Sequence, residues 1–303
     1  MRWVFVIFTA LLLLGLLDAV GRQFLSCKPR FNFEAGPHDS KTLFVYFPGI
    51  LADGVTSARG LLPLWTQHGD MLMVSYDGRR FNGNIVAART AAAITQYALD
   101  THDLELKYDK IIFIGSSMGG LLSYDTYRTP LIRQLREDDG LRFCFVLIDA
   151  PIGRKDLQPP LDRISLGSWL WWAGPISNLF SKPYFKATFV KPKKENIEAG
   201  VDLDKLNAFV EHQMSYQLSW SMDQTRYIIR HEPLKPVSLA GANVVYVRSS
   251  RDDDTVRPEA FASWDAASRG KVKLIEVDST HVGYAERPQT WWRAFEEQIL
   301  PRV

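Results

Sequence analysis

Apolar and polar positions along the chain fall into distinct regimes. Residues 3–17 (WVFVIFTALLLLGLL) are apolar throughout except at Thr9 and Gly15, and Ala19 and Val20 carry the run past Asp18. From Lys41 onward, short β-branched or aromatic runs alternate with helical stretches. The runs are 42–47 (TLFVYF), 71–76 (MLMVSY), 111–114 (IIFI), 142–148 (RFCFVLI), 244–248 (VVYVR) and 272–277 (VKLIEV). Most are nearly continuously apolar, as strands covered on both faces must be, so the pattern predicts an α/β architecture around a parallel sheet. A helix is expected over 84–99, where Ala87, Ala88, Ala91, Ala92, Ile94 and Ala98 make a face of small residues. Another is expected over 289–300, where Trp291, Trp292, Phe295 and Ile299 recur at helical spacing and read as core. The alternation breaks between 152 and 236, a stretch rich in aromatics with helix-like pieces such as 204–217.

Composition narrows the function classes. With 46% hydrophobic and 23% charged residues over 303 positions, the chain carries enough apolar mass for a sizeable core. A net charge of +2, with no basic stripe interleaved with aromatics, argues against a nucleic-acid partner. Cys27 and Cys144 cannot build a disulfide framework, and neither they nor the scattered histidines show metal-ligand spacing. No metal or organic cofactor is therefore expected. The N-terminal apolar run is long for a signal-peptide core and at the lower limit for a spanning helix. Residues 1–25 read as a membrane anchor or signal segment, with cleavage conceivable after Gly21. Arg2 flanks one side, and Arg22, Lys28 and Arg30 flank the other, which favours a cytoplasmic domain; an export signal would place it outside.

The chemistry is concentrated where residues 111–114 stop at Gly115. Ser116, Ser117, Met118, Gly119 and Gly120 follow, and a helical stretch begins, giving G-x-S-x-G at a strand-to-helix turn with Ser117 at its centre. A serine held on so sharp an elbow needs neighbours without Cβ, so that strand and helix can approach. The elbow also aims the Met118 N–H, at the start of the helix, towards a developing oxyanion. On these residues the chain resembles the α/β-hydrolase fold family. The resemblance implies a three-layer sandwich with a mostly parallel sheet, its core formed by residues 36–151 and 237–303. It further implies a helical cap (lid) insertion at 152–236. Trp169, Trp171, Trp172, Phe180 and Tyr184 would then roof the site, and an aromatic roof over a serine suits an apolar acyl or alkyl substrate.

A serine needs a base, and the base needs an orienting acid. In this fold the order is serine, acid, histidine. His281 follows a late strand in Asp278-Ser279-Thr280-His281-Val282-Gly283, and with Glu286-Arg287-Pro288 it matches the family's usual histidine loop. The acid loop of the family often reads D-x-x-V with a proline close behind. Asp253, in Asp253-Asp254-Thr255-Val256 before Pro258, fits that register, and Asp252 is its nearest rival. Some relatives take the acid from the preceding strand end, which here is Asp149. The second oxyanion donor is expected from the residue after Pro48-Gly49, the Ile50 N–H; many relatives have His-Gly at that loop. The resemblance thus implies a serine hydrolase acting on carboxylic esters, lipid-like ones included, with no cofactor. Alternatives with the same residues are an acyltransferase, a serine peptidase or amidase, or a non-catalytic scaffold.

Overall fold

The computed structural model describes residues 2–24, 28–50, 52–77, 81–99, 105–137, 140–159, 162, 218–251, 255–281 and 283–303. Seven strands form one sheet: β1 (Lys28–Glu34), β2 (Thr42–Phe47), β3 (Asp70–Asp77), β4 (Lys110–Ser116), β5 (Arg142–Ile148), β6 (Asn243–Ser249) and β7 (Lys273–Val277). Their spatial order is β1-β3-β2-β4-β5-β6-β7, parallel throughout except for β1, which pairs antiparallel with β3. All six strands legible in the hydrophobic pattern are present. The strand it did not reveal, β1, lies at the sheet edge and alternates Phe31 and Phe33 with Arg30, Asn32 and Glu34, too polar a run to stand out.

The alternation inside β4 shows why these strands are apolar on both faces. Ile111 and Phe113 enter one core, and Ile112 and Ile114 enter the other. The first core is closed by α4 (Gly83–Ala98), α5 (Met118–Tyr127), α6 (Pro130–Glu137), α7 (Leu218–Arg230) and α8 (Ala260–Ala267). The second is closed by α2 (Gly54–Ala58), α3 (Leu62–Trp65), α9 (Gly283–Glu286), α10 (Pro288–Ala294) and the π-helical turn Phe295–Ile299. Local chemistry starts the helices where the chain leaves the sheet. Asp53 caps α2 by accepting from Thr56 N at 2.9 Å, and Asn82 caps α4 by accepting from Ile85 N at 3.2 Å. The C-terminal helix keeps Trp291, Phe295 and Ile299 buried as expected, while Trp292 is half-buried and donates its indole N–H to Gly60 O at 3.0 Å.

Of the N-terminal expectations, that of a membrane-spanning helix needs correction. Residues 2–24 form one helix, α1 (Arg2–Phe24), but among the described residues no helix is long and apolar enough to cross a membrane. The unbroken apolar stretch, residues 3–17, spans only about 22 Å of helix, against roughly 30 Å of bilayer hydrocarbon. Its apolar side chains are nonetheless exposed, Trp3 by 80%, Phe5 by 75% and Leu17 by 67%. Most of the expected cap, including the helix expected at 204–217, lies outside the described residues; residues 152–159 and 162 at its start and 218–236, with α7, at its end are described.

Candidate active site

The parallel strands β2 and β4–β7 end on one edge of the sheet, and every described residue singled out by the sequence lies just beyond those ends. This is the edge at which parallel α/β sheets bind ligands. The loop Pro48-Gly49-Ile50 follows β2, Ser117 follows β4, Asp149 follows β5, and His281 lies beyond β7. The adjacency is fixed by register: Phe47 pairs with Gly115, Ser116 with Ile148, and Ser249 with Val277.

Ser117 stands at φ 52 and ψ −124, a conformation uncommon for any residue with a Cβ. It is held there from both sides. Its N–H donates to Ile148 O at 2.8 Å, extending the β4–β5 ladder by one residue, and its C=O accepts from Gly120 N at 3.0 Å as α5 begins. Both motif glycines are required by contact. A Cβ on Gly115 would lie 2.6 Å from Gly120 Cα, and one on Gly119 would collide with the Phe47 and Pro48 carbonyls. Gly49 lies against Ser117: a Cβ there would be 3.2 Å from Ser117 Cβ and 3.8 Å from Oγ. This brings the loop that carries Ile50 up to Ser117. Met118 is fully buried as the first residue of α5, and Ile50 is half-buried against the first core.

His281 is held in the turn between β7 and α9, its side chain 18% exposed, with Nδ1 3.9 Å from Asp149 Oδ2. Asp149 is 2% exposed and, like Ser117, has positive φ, 41°. Its Oδ1 accepts from Ser249 N at 2.8 Å, which crosses from β5 to the end of β6. Asp252 and Asp253 lie outside the described residues. The chain just beyond them, Thr255 to Arg257, is stitched to the segment leaving β5: Gln158 N donates to Thr255 O at 3.0 Å, and Arg257 N to Asp156 O at 2.7 Å. The sequence motif favours Asp253, whereas the described geometry brings Asp149 towards the histidine. Nothing in linear spacing announces that approach, because it depends on β5 and β6 being neighbours.

The described C-terminal end of the 152–236 segment is tied to α5. Tyr227 of α7 donates its hydroxyl to Asp125 Oδ2 at 2.6 Å, and His231 Nε2 lies 3.2 Å from Asp125 Oδ1. Burial, reinforced by the Asp125 carboxylate, holds the Tyr227 hydroxyl well above its ordinary pKa, so it is a permanent donor. Among the described residues no group of three or more histidine, cysteine or carboxylate side chains is suited to hold a metal. Sequence reasoning also missed Ser249 and Ser279, whose hydroxyls lie 3.1 Å apart between Asp149 and the histidine turn. An isolated serine carries no pattern.

The described site thus sets a strained serine, a histidine turn and a buried carboxylate along one edge of the sheet. The solved structures most similar in shape include an enol-lactonase from Burkholderia xenovorans, at TM-score 0.64 and 11% identity over 89% of this chain and 96% of that one. A thermophilic esterase from Thermogutta terrifontis gives TM-score 0.63 and 11% identity, over 91% of this chain and 95% of that one. A hydrolase from Pseudomonas aeruginosa gives 0.61 and 12%, over 89% and 96%. At such identities the likeness shows the fold alone. No curated protein matches the chain. Kinship rests on the sequence itself: residues 40–294, most of its length, match the alpha/beta hydrolase family, and the chain belongs to that family.

Proposed function

We propose that the protein is a serine hydrolase that cleaves carboxylic esters through an acyl-enzyme. His281 removes the Ser117 proton, Ser117 attacks the ester carbonyl, and the backbone N–H groups of Ile50 and Met118 stabilise the oxyanion. The oxyanion collapses, breaking the ester C–O bond as His281 passes its proton to the departing alcohol; water, activated by the same histidine, then attacks the acyl-enzyme and releases the acid. The observation that carries the reading is the strained conformation of Ser117 at the strand-to-helix elbow, φ 52, on the sheet edge it shares with His281. Strain of this kind persists where function requires it. For the orienting acid, the motif register supports Asp253, with Asp252 beside it. The 3.9 Å approach of Asp149 to His281 supports a second reading in which Asp149 fills that role.

The substrate class follows from the aromatic content of 152–236, read as a cap that presents an apolar roof to an acyl chain. The exposed apolar side chains of α1 support attachment to a membrane surface, and together these favour lipid-like esters. The deciding experiment is hydrolysis of p-nitrophenyl esters of increasing chain length by the full chain in detergent, with Ser117→Ala in parallel. Turnover by the wild type alone, with an optimum beyond short acyl chains, is expected. Equal turnover by Ser117→Ala, or none by a folded wild type on any ester, overturns the reading. Flotation with lipid vesicles, abolished by deletion of residues 2–24, tests the attachment.

A further inference from the structure

The turn that carries His281 is short and borders solvent, yet a general base must hold its place to a fraction of an ångström. What fixes it lies on either side of the histidine. Two residues before it, Ser279 is 1% exposed and its hydroxyl lies 3.1 Å from the Ser249 hydroxyl and 3.1 Å from Thr280 O. Ser249 in turn donates its N–H to Asp149 Oδ1 at 2.8 Å. Three residues after the histidine, Tyr284 is 3% exposed, and its hydroxyl accepts from Ser116 Oγ at 3.3 Å. Ser116 immediately precedes the nucleophile. Tyr46, the penultimate residue of β2, lies against the same Tyr284 hydroxyl; burial first, and Tyr284 next, push its phenol well above its ordinary pKa, so it stays neutral. The solvent face of the turn carries a separate charged clamp, Arg251 to Asp278 at 2.6 and 2.8 Å, with Arg287 3.6 Å from the same carboxylate.

We infer that Ser279 and Tyr284 are positioning residues that suspend the His281 turn between two buried hydroxyls, one reaching towards Asp149 and the other towards the nucleophile strand. The inference rests on the proposed serine–histidine chemistry. Packing alone does not call for these hydroxyls. A methyl group would fill the Ser279 site, and a phenylalanine ring would keep the edge-on contact between Tyr284 and Trp291, whose centroids are 6.1 Å apart. Hydroxyls buried at low dielectric instead fix direction, because each is costly to leave unbonded. Displacing a catalytic group by about 1 Å costs up to about 100-fold in rate.

The test uses the full chain with Ser279→Ala and Tyr284→Phe, beside Ser117→Ala, read by ester kinetics across pH and by thermal unfolding. Each positioning variant is expected to lower kcat about 10-fold with KM little changed, while remaining fully folded at the assay temperature. In Ser279→Ala the acid limb of the kcat/KM profile moves to lower pH, because the histidine loses part of its carboxylate neighbour. Restoring a hydroxyl with Ser279→Thr recovers part of the rate. Wild-type kcat and pH profile in both variants, with Ser117→Ala inactive, overturn the positioning role and leave the serine chemistry standing. A rate that falls only with the folded fraction overturns it too. Undiminished turnover by Ser117→Ala, or no turnover and no fluorophosphonate labelling of the wild type, overturns both.

Discussion

Replacing Asp149 with asparagine removes its charge while nearly keeping its shape. The amide oxygen can keep the 2.8 Å hydrogen bond from Ser249 N, so the loop retains its anchor. That choice turns the amide NH2 towards His281 Nδ1, 3.9 Å away in the native geometry. A donor there favours the tautomer with the proton on Nε2, the nitrogen that must accept it from the serine. The lost attraction can be sized. A carboxylate and an imidazolium 3.9 Å apart interact by about 4 kcal/mol at an effective dielectric of about 20. Felt only as the imidazolium forms, this is roughly 10³-fold in kcat. The assay is p-nitrophenyl ester hydrolysis by Asp149→Asn and Asp253→Asn in parallel, with thermal unfolding to verify that both fold. A loss of about 10³-fold confined to Asp149→Asn is expected if Asp149 orients the histidine. If Asp149→Asn stays within about threefold of wild type while Asp253→Asn loses the activity, the reasoning from proximity is refuted.

Three further outcomes follow from described contacts. Tyr227→Phe removes the hydroxyl that donates to Asp125 at 2.6 Å; it should cost about 1.5 kcal/mol and lower Tm by about 3–5 °C, read by calorimetry. Phe113→Ala empties a fully buried site whose ring lies 5.5 Å from Phe47 and 5.3 Å from Phe145; it should destabilise by about 3–5 kcal/mol in urea unfolding. Burial raises the Asp70 pKa, but hydrogen bonds from Lys107, Tyr108 and Gly36 N outweigh it and leave the carboxyl below its ordinary value. A depressed pKa contributes stability that is present above the unfolded value of about 4 and lost as pH falls through the native value. Asp70→Asn should therefore lower Tm near neutrality yet flatten the decline between about pH 5 and 3; an unchanged acid-side slope would count against the network.

What could be read from the sequence depended on whether physics acts along the chain or across it. The five inner strands were legible because burial on both faces writes a nearly uninterrupted apolar run, as in Phe143 to Ile148, and the edge strand β7 because its Ile275 and Val277 are buried. The elbow was legible because its glycines and serine must stand at fixed spacing within five residues. β1 escaped because an edge strand can be half polar, and Lys28 and Arg30 read as charges flanking the apolar helix. The Asp149 side of the histidine carried only the weak signal of an aspartate at a strand end. Its meaning comes from Ser249, 100 residues later, closing on it across the sheet.

The strain at Ser117 has a consequence for how such a chain can change over generations. At φ 52 and ψ −124, glycine is the residue that suffers least, and Ser117→Gly should release about 1–3 kcal/mol. On the proposed chemistry that variant would be catalytically dead and harder to melt. A lineage no longer selected for turnover would therefore meet no thermodynamic resistance to losing the serine. Its retention requires continuous selection for the reaction, since stability alone favours its loss.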